Sequence, residues 1–186
     1  MSTRAQLISE IRAYVPVNEQ EARDRETILM CLERFDDVFE RTNTLCHMTA
    51  SAWTVNPART KVLMAYHSIY DSWAWLGGHA DSETDLAAVA LREVMEESGI
   101  ARVRLARDGI YSIEVLTVDG HEKRGSYVAS HLHLNVTYLA EADDTCPVRP
   151  REGENTAVRW FTPEDAINAS TESWFRERIY SKLVRK

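Results

Sequence analysis

The sequence predicts an α/β (α+β) sandwich, a mixed β-sheet packed between helices, with a helical hairpin at the N-terminus. Three observations carry this expectation. Residues 1–45 place apolar side chains at helical spacing; from His47 onward β-rich runs alternate with turn residues; and one capped helix, Leu86–Ser98, interrupts the strands. At 186 residues the chain suits one domain with an appendage. The expected division is a helical extension over 1–45 and a main domain over 46–186.

The elements follow in order. Thr3 with Gln6 reads as a capping box, and Leu7, Ile8, Ile11, Tyr14 and Val15 make one apolar face before Pro16 stops the helix. Asn18 with Glu21 opens a second helix, with Ile28, Leu32, Phe35 and Phe39 as its stripe. The pair reads as a hairpin packed on the main domain or as a dimer contact. Thr49–Val55 and Thr60–His67 flank Asn56-Pro57-Ala58-Arg59, a turn composition, so they form a β-hairpin. In the extended stretch Ser72–Leu76, Trp73 and Trp75 share a face; core packing is the ordinary role of such rings, and stacking of Trp75 on a ligand base is the alternative. The helix Leu86–Ser98 takes a capping box from Ser82 and Asp85, and Gly99 suits the left-handed position past its end. Arg102–Ala106, Ile110–Val118, Tyr127–Ala140 and Ala157–Phe161 are further strands, and Pro163–Ala169 and Glu172–Val184 are closing helices.

Composition excludes several classes of function. No apolar run approaches the ~18 residues of a membrane span, and the start of the chain lacks the apolar stretch of a signal peptide. Cys31, Cys46 and Cys146 are odd in number, far apart and in no CxxC pair, so reduced thiols in a cytoplasmic protein are expected. The net charge is −7 with Lys and Arg scattered, which disfavours a nucleic acid polymer as partner. An anionic small molecule would need a local cation to offset that charge.

The helix Leu86–Ser98 supplies the place for one. At about 100° per residue, Ala87, Ala90, Leu91 and Val94 line its core face, and Glu93, Glu96 and Glu97 fall within roughly 100° of each other on the flank of that stripe. The neighbouring like charges cost about 0.2–0.5 kcal/mol per pair in water. Only Arg92 offers nearby relief. Three convergent carboxylates are what a hard cation such as Mg²⁺ requires, with oxygen ligands at about 2.0–2.1 Å. A bare ExxEE, however, is more often a solvated acidic face.

The surrounding residues decide between these readings. The string resembles the Nudix box: Gly, five residues, Glu, seven residues, then Arg-Glu-apolar-any-Glu-Glu-any-Gly-apolar. Gly78, Arg92, Glu93, Val94, Glu96, Glu97, Gly99 and Ile100 match in register, and the likeness extends over about residues 47–170, to a late Trp160-Phe161-Thr162-Pro163 junction. The resemblance implies a Nudix-like fold and a pyrophosphohydrolase acting on acid anhydrides. Its substrate would be a nucleoside diphosphate linked to another moiety, or a related small diphosphate. It further implies Mg²⁺, with Mn²⁺ as substitute, held by Glu93, Glu96, Glu97 and the Gly77 carbonyl, with Arg92 orienting a glutamate. One position departs from the pattern: Thr84 stands where the family has its first Glu, and Asp85 is the nearest carboxylate.

A base must accept a proton from the attacking water. Glu97 and Glu154 are the candidates, with Glu114 third. Strand alternation puts His131, His133, Asn135 and Thr137 on one face of Tyr127–Ala140, as the lining of a substrate pocket or as an exposed edge. Zinc on the His131/His133 pair is not expected, because no third ligand sits at a telling spacing. His79, in the glycine-rich loop, could touch a phosphate or cap the turn. The substrate contacts expected are His79, His131, His133 and Trp75. The alternative function is a non-catalytic module of the same fold binding a nucleotide or sugar phosphate, for which Thr84 is the support. A prenyl diphosphate isomerase is disfavoured, since neither Cys46 nor Cys146 has a matching neighbourhood. A homodimer is the default assembly.

Overall fold

The computed structural model describes residues 3–67, 71–123 and 125–185. Its strands are β1 (Cys46–Val55), β2 (Val62–His67), β3 (Ser72–Ala74), β4 (Leu76–His79), β5 (Val103–Leu105), β6 (Ser112–Val118), β7 (His121–Lys123), β8 (Ser126–Val128), β9 (His131–Ala142) and β10 (Ala157–Phe161). Helices are α1 (Arg4–Ala13), α2 (Glu19–Arg34), α3 (Leu86–Ser98), α4 (Pro163–Ala169) and α5 (Ser181–Arg185), the last entered through a π-helical turn, Phe175–Tyr180. One eight-stranded sheet has the order β10-β2-β1-β9-β5, with β3 also on β2, β4 on β1 and β6 on β9. The expected mixed α/β architecture is therefore present. Among the described residues no helix is long and apolar enough to cross a membrane.

The chain divides into two compact units: Met1–Ala50, Gly78–Val89 and Gly109–Tyr138 form the first, and Ser51–Gly77, Ala90–Asp108 and Leu139–Lys186 the second. In the first, Thr3 and Gln6 make the expected capping box, and α1 buries Leu7 and Ile11 against α2. Arg4 reaches the free carbonyls of Leu32 and Phe35 at the end of α2, which satisfies groups that lack intrahelical donors. That helix closes at Arg34, earlier than its apolar pattern suggested: Phe35 is the C-cap, and Phe39 is buried in the following loop. It packs on β6, where Asp24 accepts the Val115 N–H at 3.1 Å. A run of turns beyond it ties down the loop after the paired glycines. Arg41 grips Asp81 with two of its guanidinium nitrogens, Nη2 and Nε, the latter at 2.6 Å, the Ser82 N–H donates to the Phe39 carbonyl at 3.1 Å, and Ser82 Oγ donates to Glu40 at 2.6 Å. These contacts hold Asp81 and Ser82 at φ of 48° and 76°, left-handed values that cost a non-glycine residue about 1–3 kcal/mol each.

In the second unit the Asn56–Arg59 turn forms as its composition predicts. Asn56 Oδ1 accepts from the N–H groups of Thr60 and Lys61 at 2.8 and 2.9 Å, and β2 starts after them at Val62. β2 pairs antiparallel with β10 and β3, and α4, capped by Thr162, packs against all three. Ile179, Tyr180 and Leu183 of the closing helical segment are fully buried. The single strand expected over Tyr127–Ala140 is two: β8 pairs with β7 in a separate ribbon, and β9 begins at His131. At Gly120 the Tyr127 hydroxyl lies 2.0 Å from where a Cβ would stand, so a larger residue there would push that exposed ring aside.

Candidate active site

The helix α3 occupies the bounds the sequence assigned to it, but its details differ. Asp85 is the cap, accepting the Ala88 N–H at 3.2 Å, while Ser82 faces Glu40 instead. Its buried stripe is Leu86, Val89, Ala90 and Val94, with Ala87 and Leu91 at the margin. Three residues past Val94, the same stripe carries Glu97. That carboxylate is therefore not on the flank of the core but in it, at 3% exposure, while Glu93 is half-buried and Glu96 exposed. The helix ends at Gly99, whose φ of 72° and bond from its N–H to the Met95 carbonyl at 2.9 Å give the left-handed stop.

The loop before β10 is fastened to this helix end. The Ser98 carbonyl accepts from the Arg149 N–H at 2.8 Å, and the Glu97 carbonyl accepts from the buried Asn155 side chain at 3.1 Å. Asn155 in turn takes the Arg151 N–H at 3.1 Å. Two orphan carbonyls of the last helical turn are thus satisfied, and the loop's charged residues are delivered to the carboxylates. Arg151 Nη1 lies 2.6 Å from Glu96 Oε2 and 3.2 Å from Glu154 Oε2. Arg92 lies 3.5 Å from Glu93 and 3.9 Å from Glu96, between the two glutamates.

Electrostatics follow from this crowding. Glu97 holds its proton well above the ordinary carboxylate range, first because it is buried and then because Glu93 is close; the Gly77 N–H, bonded to it, pulls the other way, as does Arg151, while Glu154 adds to the rise. Burial, then Glu96, also raises Glu93, with Arg92 opposing. Glu97 Oε2 is buried without a hydrogen-bond partner. An uncompensated buried carboxylate oxygen is costly, and a cation is the natural complement. With Glu93, Glu96 and the Gly77 backbone in the same unit, the donor set is all oxygen, which suits a hard dication. These residues fit Mg²⁺. The structure brings together Gly77, Arg92, Glu93, Glu96, Glu97 and Glu154 of the expected set. Spacing arguments missed Arg151, which arrives from a distant loop, and His67 on β2, whose imidazole is held below its ordinary value by burial and feels the Glu154 charge.

The remaining expected residues are divided between the two units. In the first unit His133 meets His79 and His131, and all three meet His47, which sequence reasoning did not select. The polar face of β9 splits beyond them. Asn135 and Thr137 are buried and donate to Glu114 at 3.0 and 2.9 Å, and Ser112 joins Glu114 to Glu21. Glu114 is thereby held in a buried network that joins β6, β9 and α2. In the second unit Trp75 is 6% exposed and meets Tyr180 and Phe175 edge-on, the packing of a core aromatic.

Comparison with known proteins bears on this arrangement. The model of the NUDIX domain matches residues 46–183. Among solved structures, the chain is similar to a NUDIX-family hydrolase from Clostridium perfringens, with 22% identity, coverage of 74% of this chain and 95% of that one, and a TM-score of 0.54. An Ap4A hydrolase of C. elegans gives 22%, 74%, 92% and 0.52 for the same quantities. For the dihydroneopterin triphosphate pyrophosphohydrolase of E. coli they are 13%, 75%, 96% and 0.52. At these identities the likeness is one of fold. No curated protein matches by sequence.

Proposed function

Because this chain belongs to the NUDIX domain family, we propose that it is a divalent-metal-dependent hydrolase. Its reaction would be cleavage of the diphosphate bond in a nucleoside diphosphate linked to another moiety, or in a related small diphosphate. The observation that carries the reading is Glu97, a carboxylate built into the apolar stripe of α3 with one oxygen unpartnered.

Glu93, Glu96 and Glu97, with the Gly77 carbonyl, are the residues that would hold Mg²⁺, or Mn²⁺ in its place. Bound there, the ion supplies charge neutralisation at the diphosphate oxygens and a water of lowered pKa. Arg92 keeps Glu93 and Glu96 facing one another despite their like charge. Glu154 accepts the water's proton at its carboxylate; its charge is felt by both Glu93 and Glu97, and Arg151 fixes its side chain. Asn155 holds the loop that presents it. Trp75 packs against Tyr180 and Phe175, without a free face for stacking.

The alternative is a module of the same fold that binds a nucleotide or sugar phosphate without cleaving it, favoured by Thr84 at the position of the first box glutamate. A phosphate-release screen with Mg²⁺ separates the two. It would cover nucleotide sugars, ADP-ribose, dinucleoside polyphosphates, oxidised nucleotides and simple diphosphates, and be repeated with Glu96→Gln and Glu97→Gln. Turnover of at least one compound, lost in both variants, is the expected result. Binding without turnover across the panel favours the module, and turnover that survives both substitutions overturns the assignment of the metal ligands.

A further inference from the structure

Four of the chain's six histidines converge in the first unit. They come from three places: His47 on β1, His79 at the end of β4, and His131 and His133 on β9. The neighbouring ring centroids lie between 4.8 and 5.1 Å apart. From each of His47, His79 and His133 one ring nitrogen lies within 4.8 Å of the others.

The hydrogen bonds fix which nitrogens carry protons. His47 Nδ1 is 3.0 Å from the Asn43 carbonyl, which can only accept, so Nδ1 bears the hydrogen and Nε2 presents a bare lone pair. That Nε2 is buried and has no partner, on a residue only 4% exposed. His131 Nδ1 likewise donates to the Ala129 carbonyl at 2.8 Å, leaving its Nε2 bare. The 3.2 Å contact between His131 Nε2 and His133 Nε2 then requires the hydrogen on His133, whose other nitrogen is bare. His133 and His47 favour the neutral form that ligates metals: burial and the neighbouring histidines hold His133 down to about 2, and burial lowers His47.

We propose that His47, His79 and His133 form a binding site for a transition-metal dication, Zn²⁺ by ligand chemistry, separate from the all-oxygen site on α3. The Asn43 carbonyl and His131 are its outer supports, each hydrogen-bonded to a ligand imidazole, as metal-bound histidines generally are. Three nitrogens match the preference of zinc and leave a fourth position for water or an anionic oxygen. Bonds of about 2.0–2.1 Å require the nitrogens to draw closer than their present spread, a movement open to the half-buried His79 and His133 while His47 stays fixed. The two sites would sort metals by donor type: oxygen for Mg²⁺, nitrogen for Zn²⁺.

The test uses the untagged full chain, stripped by chelator and titrated with Co²⁺ in excess Mg²⁺. One equivalent is expected to bind with the visible absorption of a four-coordinate, nitrogen-rich ion, and Zn²⁺ should displace it. His47→Gln and His79→Gln should each weaken binding by at least about tenfold, with circular dichroism confirming their fold, and Glu97→Gln should not alter it. Should His47→Gln fail to fold, His79→Gln and the change in the His47 Nε2 chemical shift on Zn²⁺ addition to the ¹⁵N-labelled wild type carry the test. Binding that is absent, equal in wild type and both histidine variants, or abolished by Glu97→Gln alone would overturn the site.

Discussion

Glu97 is the residue whose chemistry is most constrained. Its carboxyl holds a proton more tightly in the folded chain than in the unfolded one, so the metal-free protein loses stability as pH rises from the ordinary carboxylate value of 4.5 through the raised folded one; below 4.5 both states are protonated and the penalty vanishes. Metal-free Glu97→Gln should therefore melt at a higher temperature than wild type near pH 8, with the gain shrinking toward pH 4.5. A pH-independent difference would mean the carboxylate is not strained by burial. Glu154→Gln should instead leave the metal half-saturation concentration nearly unchanged and lower kcat by about 10²–10⁴-fold, the usual contribution of a positioned base; a drop in metal affinity alone would make Glu154 a ligand. At this scale the sequence made the three box glutamates and Glu154 readable, because they sit in or beside contiguous motifs. Arg151 and His47 were not, since each also meets residues far away in sequence, Arg151 reaching Glu96 (|i−j| of 55) and His47 reaching His131 and His133 on β9.

At the scale of elements, the junction between α3 and the loop before β10 carries the site. Gly99 adopts a φ of 72°, and a Cβ there would also come within 2.5 Å of the Arg149 side chain. That side chain is flexible and can move, so Gly99→Ala is expected to cost about 1–2 kcal/mol, mainly from the left-handed backbone. Denaturant unfolding would measure it, and a neutral result would mean that the turn relaxes. The bounds of α3 and β10 followed from periodicity and punctuation, since both elements have strong local patterns. Others misled for physical reasons. The stripe of α2 continued through Phe35 and Phe39 because apolar loop residues also bury, and Tyr127–Ala140 looked continuous because the break falls at Ala129-Ser130, which has no glycine or proline to mark it. The cap of α3 moved from Ser82 to Asp85 because the contacts from Phe39 and Glu40 claim Ser82.

Across the whole molecule, the N-terminal helices are bound to the sheet by more than apolar contact. α2 places Glu21 against Ser112 at 2.8 Å and Asp24 against the Val115 N–H, and it buries Ile28, Cys31 and Leu32. A chain starting at residue 46 would expose the partner face of β6 and leave Glu114 without part of its network. Each large apolar side chain withdrawn costs about 1.5–3 kcal/mol, and the total rivals the ~5–15 kcal/mol stability of an average domain. The shortened chain should bind a hydrophobic dye and lose its cooperative melt; a sharp melt near the full-length value would instead establish residues 1–45 as a dispensable appendage.

The Arg41–Asp81 grip, with its companions at Phe39 and Glu40, has a consequence of its own. The stiffness of the turn that follows the paired glycines is set by residues upstream of the span shared with the family. Grafting a foreign segment over positions 39–41 would slacken that turn while every box residue kept its identity, so the conformation of this loop is set from outside the motif that marks the family.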